Sequence, residues 1–253
     1  MRISGILLLL FLFTFCTDDK RKVNDFVTEI KIERVYTDSV SIRALQPVDE
    51  KRVWFAGTSG KVGLIDVGVP KIATIAYEDS LLHFRSIART KQAVFVLSIA
   101  SPAVLYKIGF DGNEATSIEE VYVEKGEKVF YDAMKFWDDK EGIAMGDPTD
   151  GCLSVIITRD GGNSWQKVSC EMLPEAKPGE AAFAASNSNI ALYGDHVWIA
   201  SGGRHSRVFY SSDRGRNWEV FDTPIIQGGN MTGIYSIDFY DEKTGVVFGG
   251  NWE

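Results

Sequence analysis

Two carboxylates and three arginines offer the most chemistry. Asp132 and Asp147 are the pair that could serve glycoside hydrolysis, which needs two carboxyl groups across the scissile bond, ~5–5.5 Å apart for retention or ~6.5–9.5 Å for inversion. Spacing along the chain leaves open whether they converge. Arg43, Arg85 and Arg204 offer planar forks that bind a carboxylate or another anion through two parallel hydrogen bonds. The histidines His83, His196 and His205 are scattered, and a histidine beside apolar neighbours, as His196 is before Val197-Trp198, reads as structural. No Gly-x-Ser-x-Gly elbow, Walker loop, dinucleotide fingerprint or His-Glu-x-x-His occurs. No metal and no cofactor is therefore expected.

The cysteines point to a disulfide. Cys152 and Cys170 have their midpoint at Gly161, within the turn Asp160-Gly161-Gly162. In a simple antiparallel hairpin centred there they face each other with Cα atoms ~4.5–5.5 Å apart, within reach of a bond. A bulge at the turn would shift the register by one and separate them. Such a bond implies an oxidising compartment.

Two stretches repeat one pattern. Thr158-Arg159-Asp160-Gly161-Gly162-Asn163-Ser164-Trp165 and Ser211-Ser212-Asp213-Arg214-Gly215-Arg216-Asn217-Trp218 both fit Ser/Thr-x-Asp-x-Gly-x-x-Trp, and both resemble the Asp-box, or BNR, repeat. The aspartate can accept N–H groups of its own turn, the glycine allows positive φ, and the tryptophan covers the hairpin. Thr158, Asp160, Gly162, Trp165, Ser211, Asp213, Gly215 and Trp218 are accordingly read as structural.

The elements that must position these residues are also repeated. Turn aspartates at Asp66, Asp111, Asp160 and Asp213 are spaced by 45, 49 and 53 residues. Five apolar runs end in small residues: Val53–Gly57, Val94–Ser98, Gly142–Gly146, Val197–Ser201 and Val246–Gly250. Each unit holds three or four short runs rich in Val, Ile, Phe, Tyr and Trp, and no long apolar period of 3.6 residues follows the first segment. Four-stranded units of ~40–50 residues are what a β-propeller blade requires, because one sheet buries both faces only when neighbours stack on it. The expected units are 39–80, 81–126, 127–178, 179–229 and a partial 230–253. The fold class is thus all-β, with four fuller blades and a partial fifth in an open arc. The next turn would fall ~50 residues after Asp213, near position 262, so a fragment of a longer ring is the simpler reading.

The pattern resembles the photosystem II stability and assembly-factor-like propellers, in particular secreted bacterial relatives, some of them labelled oxidoreductases. Besides the two Asp-box turns, Trp54-Phe55-Ala56-Gly57, Gly146-Asp147-Pro148, Glu180-Ala181-Ala182-Phe183-Ala184-Ala185-Ser186, Trp198-Ile199-Ala200-Ser201-Gly202-Gly203 and Phe248-Gly249-Gly250-Asn251 carry the likeness, over roughly residues 30–253. The resemblance implies a ring of about seven blades that acts as a binding or assembly scaffold. An oxidoreductase would need a cofactor site, which the residues do not supply.

In such a propeller, loops entering the innermost strands bring Arg43, Arg85, Asp132 and Tyr235 to one face, and loops leaving the second strands bring Asp147, Arg204, His205 and Asn251. This funnel would take a protein, peptide or glycan. The alternative is a glycan-active hydrolase, since Asp boxes occur in sialidases and some endoglucanases. Against a sialidase, the nearest arginine motif, Phe84-Arg85-Ser86-Ile87, lacks the proline.

The chain opens with Met1-Arg2, an apolar run from Ile3 to Phe15, and then Cys16 and a polar stretch. Residues 1–15 read as an export signal too short to span a bilayer, and 16–29 as a polar linker before a propeller at 30–253. Cys16 stands where a bacterial lipoprotein carries its lipid, although Phe13 and Phe15 depart from the lipobox. Lipidation, ordinary cleavage and retention as a short anchor all remain open. The expected location is the periplasm or cell surface. A net charge of -8 over 253 residues argues against nucleic acid as a partner.

Overall fold

Short β-branched and aromatic runs between turn residues fold here as antiparallel strands. The computed structural model describes Glu29, Lys31, residues 36–183 and residues 187–253. The expected leader 1–15, Cys16 and nearly all of the 16–29 linker lie outside the described residues. The chain divides at Arg34/Val35, and the architecture below belongs to the unit Val35–Glu253.

Four sheets have four strands in meander order. The first holds Ile42–Pro47, Arg52–Gly57, Lys61–Asp66 and Val69–Thr74, and the second Phe84–Arg89, Ala93–Ser98, Ala103–Asp111 and Glu114–Glu124. The third holds Tyr131–Phe136, Gly142–Pro148, Leu153–Thr158 and Gln166–Lys167, and the fourth Ile190–Tyr193, His196–Ala200, Arg207–Ser211 and Glu219–Asp222. A fifth sheet has two long strands, Thr232–Phe239 and Gly245–Asn251, extended by the short pieces Gly202–Gly203 and Glu180–Ala181. The chain is all-β, with no α-helix among the described residues. No helix there is long and apolar enough to cross a membrane.

Alternation along each strand sends side chains to both faces, and in the second, third and fourth sheets both faces find a neighbouring sheet. The first strands of consecutive sheets touch in turn, from Ile42–Pro47 through Phe84–Arg89, Tyr131–Phe136 and Ile190–Tyr193 to Thr232–Phe239. They form the inner wall of an arc. Between the sheets lie four apolar layers. Trp54, Phe84 and Ile87 fill the first, and Phe95, Met134 and Trp165 the next. Ile143, Val197 and Phe209 fill the third, and Trp198, Ile234 and Ile237 the last. Ring pairs fix the spacing: Phe95 stacks on Phe136 at 4.6 Å and Trp198 on Phe239 at 3.8 Å.

The repeated turns dock each sheet onto its predecessor. Thr158 Oγ1 donates to Asp160 Oδ1 at 2.8 Å, and the Gly162 N–H donates back to Thr158 Oγ1 at 2.9 Å. Ser211, Asp213 and Gly215 repeat both bonds at 2.8 Å. Gly162 has φ +76, and a Cβ there would lie 2.2 Å from the Phe95 ring of the second sheet. Glycine is thus needed for conformation and for approach. Gly215 similarly sits against Ile157 of the third sheet. Arg214, beside it, pairs with Asp138 and Glu141 of that sheet and with Asp195 of its own.

Cys152 and Cys170 are bonded, with Cα atoms 5.5 Å apart, but the hairpin expected to bring them together is corrected. Ile156 pairs with Lys167 and Ile157 with Gln166, which is one residue off a register centred on Gly161. The ladder would place Cys152 opposite Glu171. Cys170 instead belongs to a 3₁₀ turn, Cys170–Met172, which begins after the strand ends and is capped by Ser169. That turn restores the contact that the register shift would have removed.

Candidate functional site

One irregularity recurs in the inner wall. Pairing with the second strand skips a single residue between Ile42 and Ala44, Phe84 and Ser86, Tyr131 and Ala133, and Ile234 and Ser236. The skipped residues are Arg43, Arg85, Asp132 and Tyr235. A bulge frees one side chain from the in-out alternation and re-aims it. Asp147 is skipped in the same way, between Gly146 and Pro148, where its strand pairs with the third strand of the sheet.

Four of the eight expected residues lie within each other's electrostatic reach. Arg43 and Arg85 repel one another, and Asp132 feels both Arg85 and Asp147. Asp132 is wholly buried, and neither carboxyl oxygen has a hydrogen-bond partner. The expectation that Asp132 lines an open funnel is therefore corrected: it lies beneath the surface. Burial, and then the Asp147 charge, hold its carboxyl well above the usual range, against the pull of Arg85. Burial pushes Asp147 up to about 6, although its Oδ1 accepts the Ala182 N–H at 2.7 Å.

His83 completes the cluster. Its Nε2 accepts from Arg85 Nε at 3.3 Å, and burial with the charges of Arg85 and Arg43 pushes its pKa down. A neutral ring therefore orients the guanidinium. Beside Asp147 lies an open groove of about 580 Å³, lined in part by Ser101, Glu127, Lys128, Phe130 and Glu180.

The other four residues do not join this cluster. Arg204 is exposed and reaches Asn230 Oδ1 at 3.4 Å. His205 lies near Asp222, whose carboxyl it helps to lower. Tyr235 spends its hydroxyl on the carbonyls of Met231 and Gly250, at 2.8 and 2.9 Å, and Asn251 is exposed and accepts from Glu253 N.

Several buried or half-buried polar groups gave no sequence signal. Glu180, buried, pairs with Arg207 and accepts from Ser201 Oγ at 2.5 Å. Glu124 accepts from Tyr122 and Tyr131 hydroxyls at 2.6 and 2.7 Å and pairs with Lys167. The Tyr131 hydroxyl resembles a nucleophile with its base, but the residue has no exposed surface, and burial foremost drives its pKa far up. Lys135, on the inner strand of the third sheet, is pushed down by burial and feels Asp238 of the fifth. Each of these groups has a partner 27 or more residues away, as Glu180 has in Arg207 and Glu124 in Lys167, or is set by burial, so neither type nor spacing marks them. Among the described residues no group of three or more His, Cys, Asp or Glu is placed to hold a metal.

No protein-family description and no curated protein matches this chain. Solved structures do. U3-55K is similar at 15% identity and TM-score 0.57, over 84% of this chain and 59% of that one. The Dos1 propeller is similar at 13% identity and TM-score 0.53, over 77% of this chain and 50% of that one. YCF48 bound to D1 peptide is similar at 12% identity and TM-score 0.42, over 84% and 90%. The chain thus spans only 50–59% of the first two. The likeness to U3-55K and the Dos1 propeller speaks for the fold, a β-propeller, and stops there.

Proposed function

We propose that this chain is an exported, non-enzymatic β-propeller module that binds a protein partner by a carboxylate-bearing segment at Arg43 and Arg85. One observation carries the reading: the same bulge in consecutive inner strands presents two arginines side by side, while Asp132, the carboxyl whose charge reaches Arg85, is buried and makes no hydrogen bond. Two like charges held together favour an anion between them, and the guanidinium fork suits a carboxylate. The hydrogen-bonded turns at Asp160 and Asp213 support the Asp-box reading. Met1-Arg2 with its apolar run, and the Cys152–Cys170 bond, support export. Cys16 is the position at which a lipid would be attached.

The hydrolase alternative lacks such support. It needs two carboxyls, or a tyrosine and its base, in contact with a glycan, and Asp132 and Tyr131 offer no surface to one. The test is fluorescence anisotropy with a short labelled aspartate-rich peptide. Binding should weaken at least tenfold in the Arg43→Ala/Arg85→Ala variant and with rising salt. Equal binding by the variant, or turnover of a chromogenic glycoside, would overturn the reading.

A further inference from the structure

We propose that filling the Arg43–Arg85 site with a carboxylate is linked to uptake of a proton by the Asp132–Asp147 pair. The inference rests on the function proposed above and adds what regulates it.

The bulges of three inner strands that touch in turn set the order, Arg43, Arg85, Asp132, and Asp147 follows Gly146, which pairs with Tyr131 beside Asp132; the charges of neighbours in this order act on one another. Asp132 is therefore a charge that competes with an anionic ligand for Arg85, whose Nε is held by His83. As a carboxylic acid it leaves the arginine charge to the ligand. As a carboxylate it offsets that charge and repels the incoming anion, and it has no hydrogen bond to stabilise its own. Binding works in reverse by linkage: a carboxylate on Arg85 weakens the attraction that favours ionised Asp132 and so raises the pair's proton affinity.

The surroundings set the range. Asp147, pushed up to about 6 by burial, loses its proton near neutrality, and its charge then acts on Asp132. The Ala182 N–H faces Asp147, and Glu127, Lys128 and Glu180 share its groove. Glu127 and Lys128 are exposed and opposite in sign, and Glu180 is committed to Arg207. On the arginine side His83 titrates nearby, and burial with the charges of Arg85 and Arg43 pushes its pKa down, which favours the neutral ring.

Calorimetry with the aspartate-rich peptide in two buffers of different ionisation heat reads the proton directly. Between about pH 6 and about pH 8 the peptide stays fully ionised. Over that range wild-type affinity should fall at least threefold, with net proton uptake. Asp147→Asn, which keeps the acceptor for Ala182, should bind at about pH 8 as tightly as wild type at about pH 6, and Asp132→Asn should also lose the pH dependence. Peptide binding of equal strength across the range, or a pH dependence that survives in Asp147→Asn, overturns the linkage and leaves the arginine site standing. No binding at either pH overturns both.

Discussion

Asn187 Nδ2 donates to the Ile87 carbonyl at 2.7 Å, joining points 100 residues apart. Its Oδ1 accepts the Met134 N–H at 2.9 Å, so one amide ties the inner strands of the second and third sheets from the head of the fourth. The next residue continues the tie, because Ser188 O accepts from Ile237 N of the fifth sheet at 2.9 Å. Asn187 holds φ 59, a left-handed conformation that asparagine tolerates better than most residues.

Asn187→Ala strands a buried N–H and a buried carbonyl and adds a backbone penalty. The expected loss is about 3 kcal/mol in urea unfolding. Asn187→Gly, which relieves the backbone only, should recover about 1 kcal/mol of it. An alanine variant as stable as wild type would show that the tie contributes nothing.

Asp132 and Asp147 should make the fold less stable as pH rises. Both carboxyls have folded pKa values above their unfolded ones, so the folded state holds protons that the unfolded state releases. Their favourable share is complete below about pH 4 and is lost as pH rises through about 6 for Asp147. Asp147→Asn should therefore stabilise the protein by about 2 kcal/mol at about pH 8 and change little at about pH 4. Thermal unfolding at the two pH values checks this, and a stabilisation that is equal at both would remove ionisation as its source.

Periodicity of apolar runs discloses the sheets because their central strands bury both faces, whereas the bulges that free Arg43 and Arg85 carry no sequence signal of their own. Asn187 and Glu180 stayed hidden because their partners, Ile87, Met134 and Arg207, come from other sheets or distant turns. The burial of Asp132 was equally illegible, since an aspartate at a strand start reads as exposed. The cysteine pairing was legible for the wrong reason: the register shifts by one, and a 3₁₀ turn compensates.

That disulfide closes a loop of 18 residues, for which chain entropy gives about 3 kcal/mol. Two contacts persist without it: the Cys152–Glu175 bridge, and the Ala176 N–H to Gly151 O bond at 2.8 Å. The Cys152→Ser/Cys170→Ser variant should thus fold but melt several degrees lower, with cleavage by a nonspecific protease concentrated after Ser169. An unchanged melting temperature in reductant would count against the assignment.

The two repeated turns should differ in strength although their pattern is shared. Asp160 accepts the Ser164 N–H and two hydroxyls, from Thr158 and Ser164, with the Asn163 N–H contributing more weakly. Asp213 accepts two backbone N–H groups, from Arg216 and Asn217, with the Ser211 hydroxyl and the Asn217 amide. Burial works to raise both carboxyls, and these bonds outweigh it, lowering Asp160 and bringing Asp213 to about 2. A depressed carboxylate contributes stability above its unfolded pKa and loses it as pH falls through the folded one, here between about 4 and about 2. Asp213→Ala should therefore cost about 2 kcal/mol at about pH 7 and Asp160→Ala about 1, with both costs shrinking near pH 2. Because Gly215 rests on Ile157 and Gly162 on Phe95, each loss should also loosen the preceding sheet. Hydrogen exchange that quickens in the third sheet for Asp213→Ala, and in the second for Asp160→Ala, is the expected signature. Exchange confined to the mutated turn would mean that the turns do not couple the sheets.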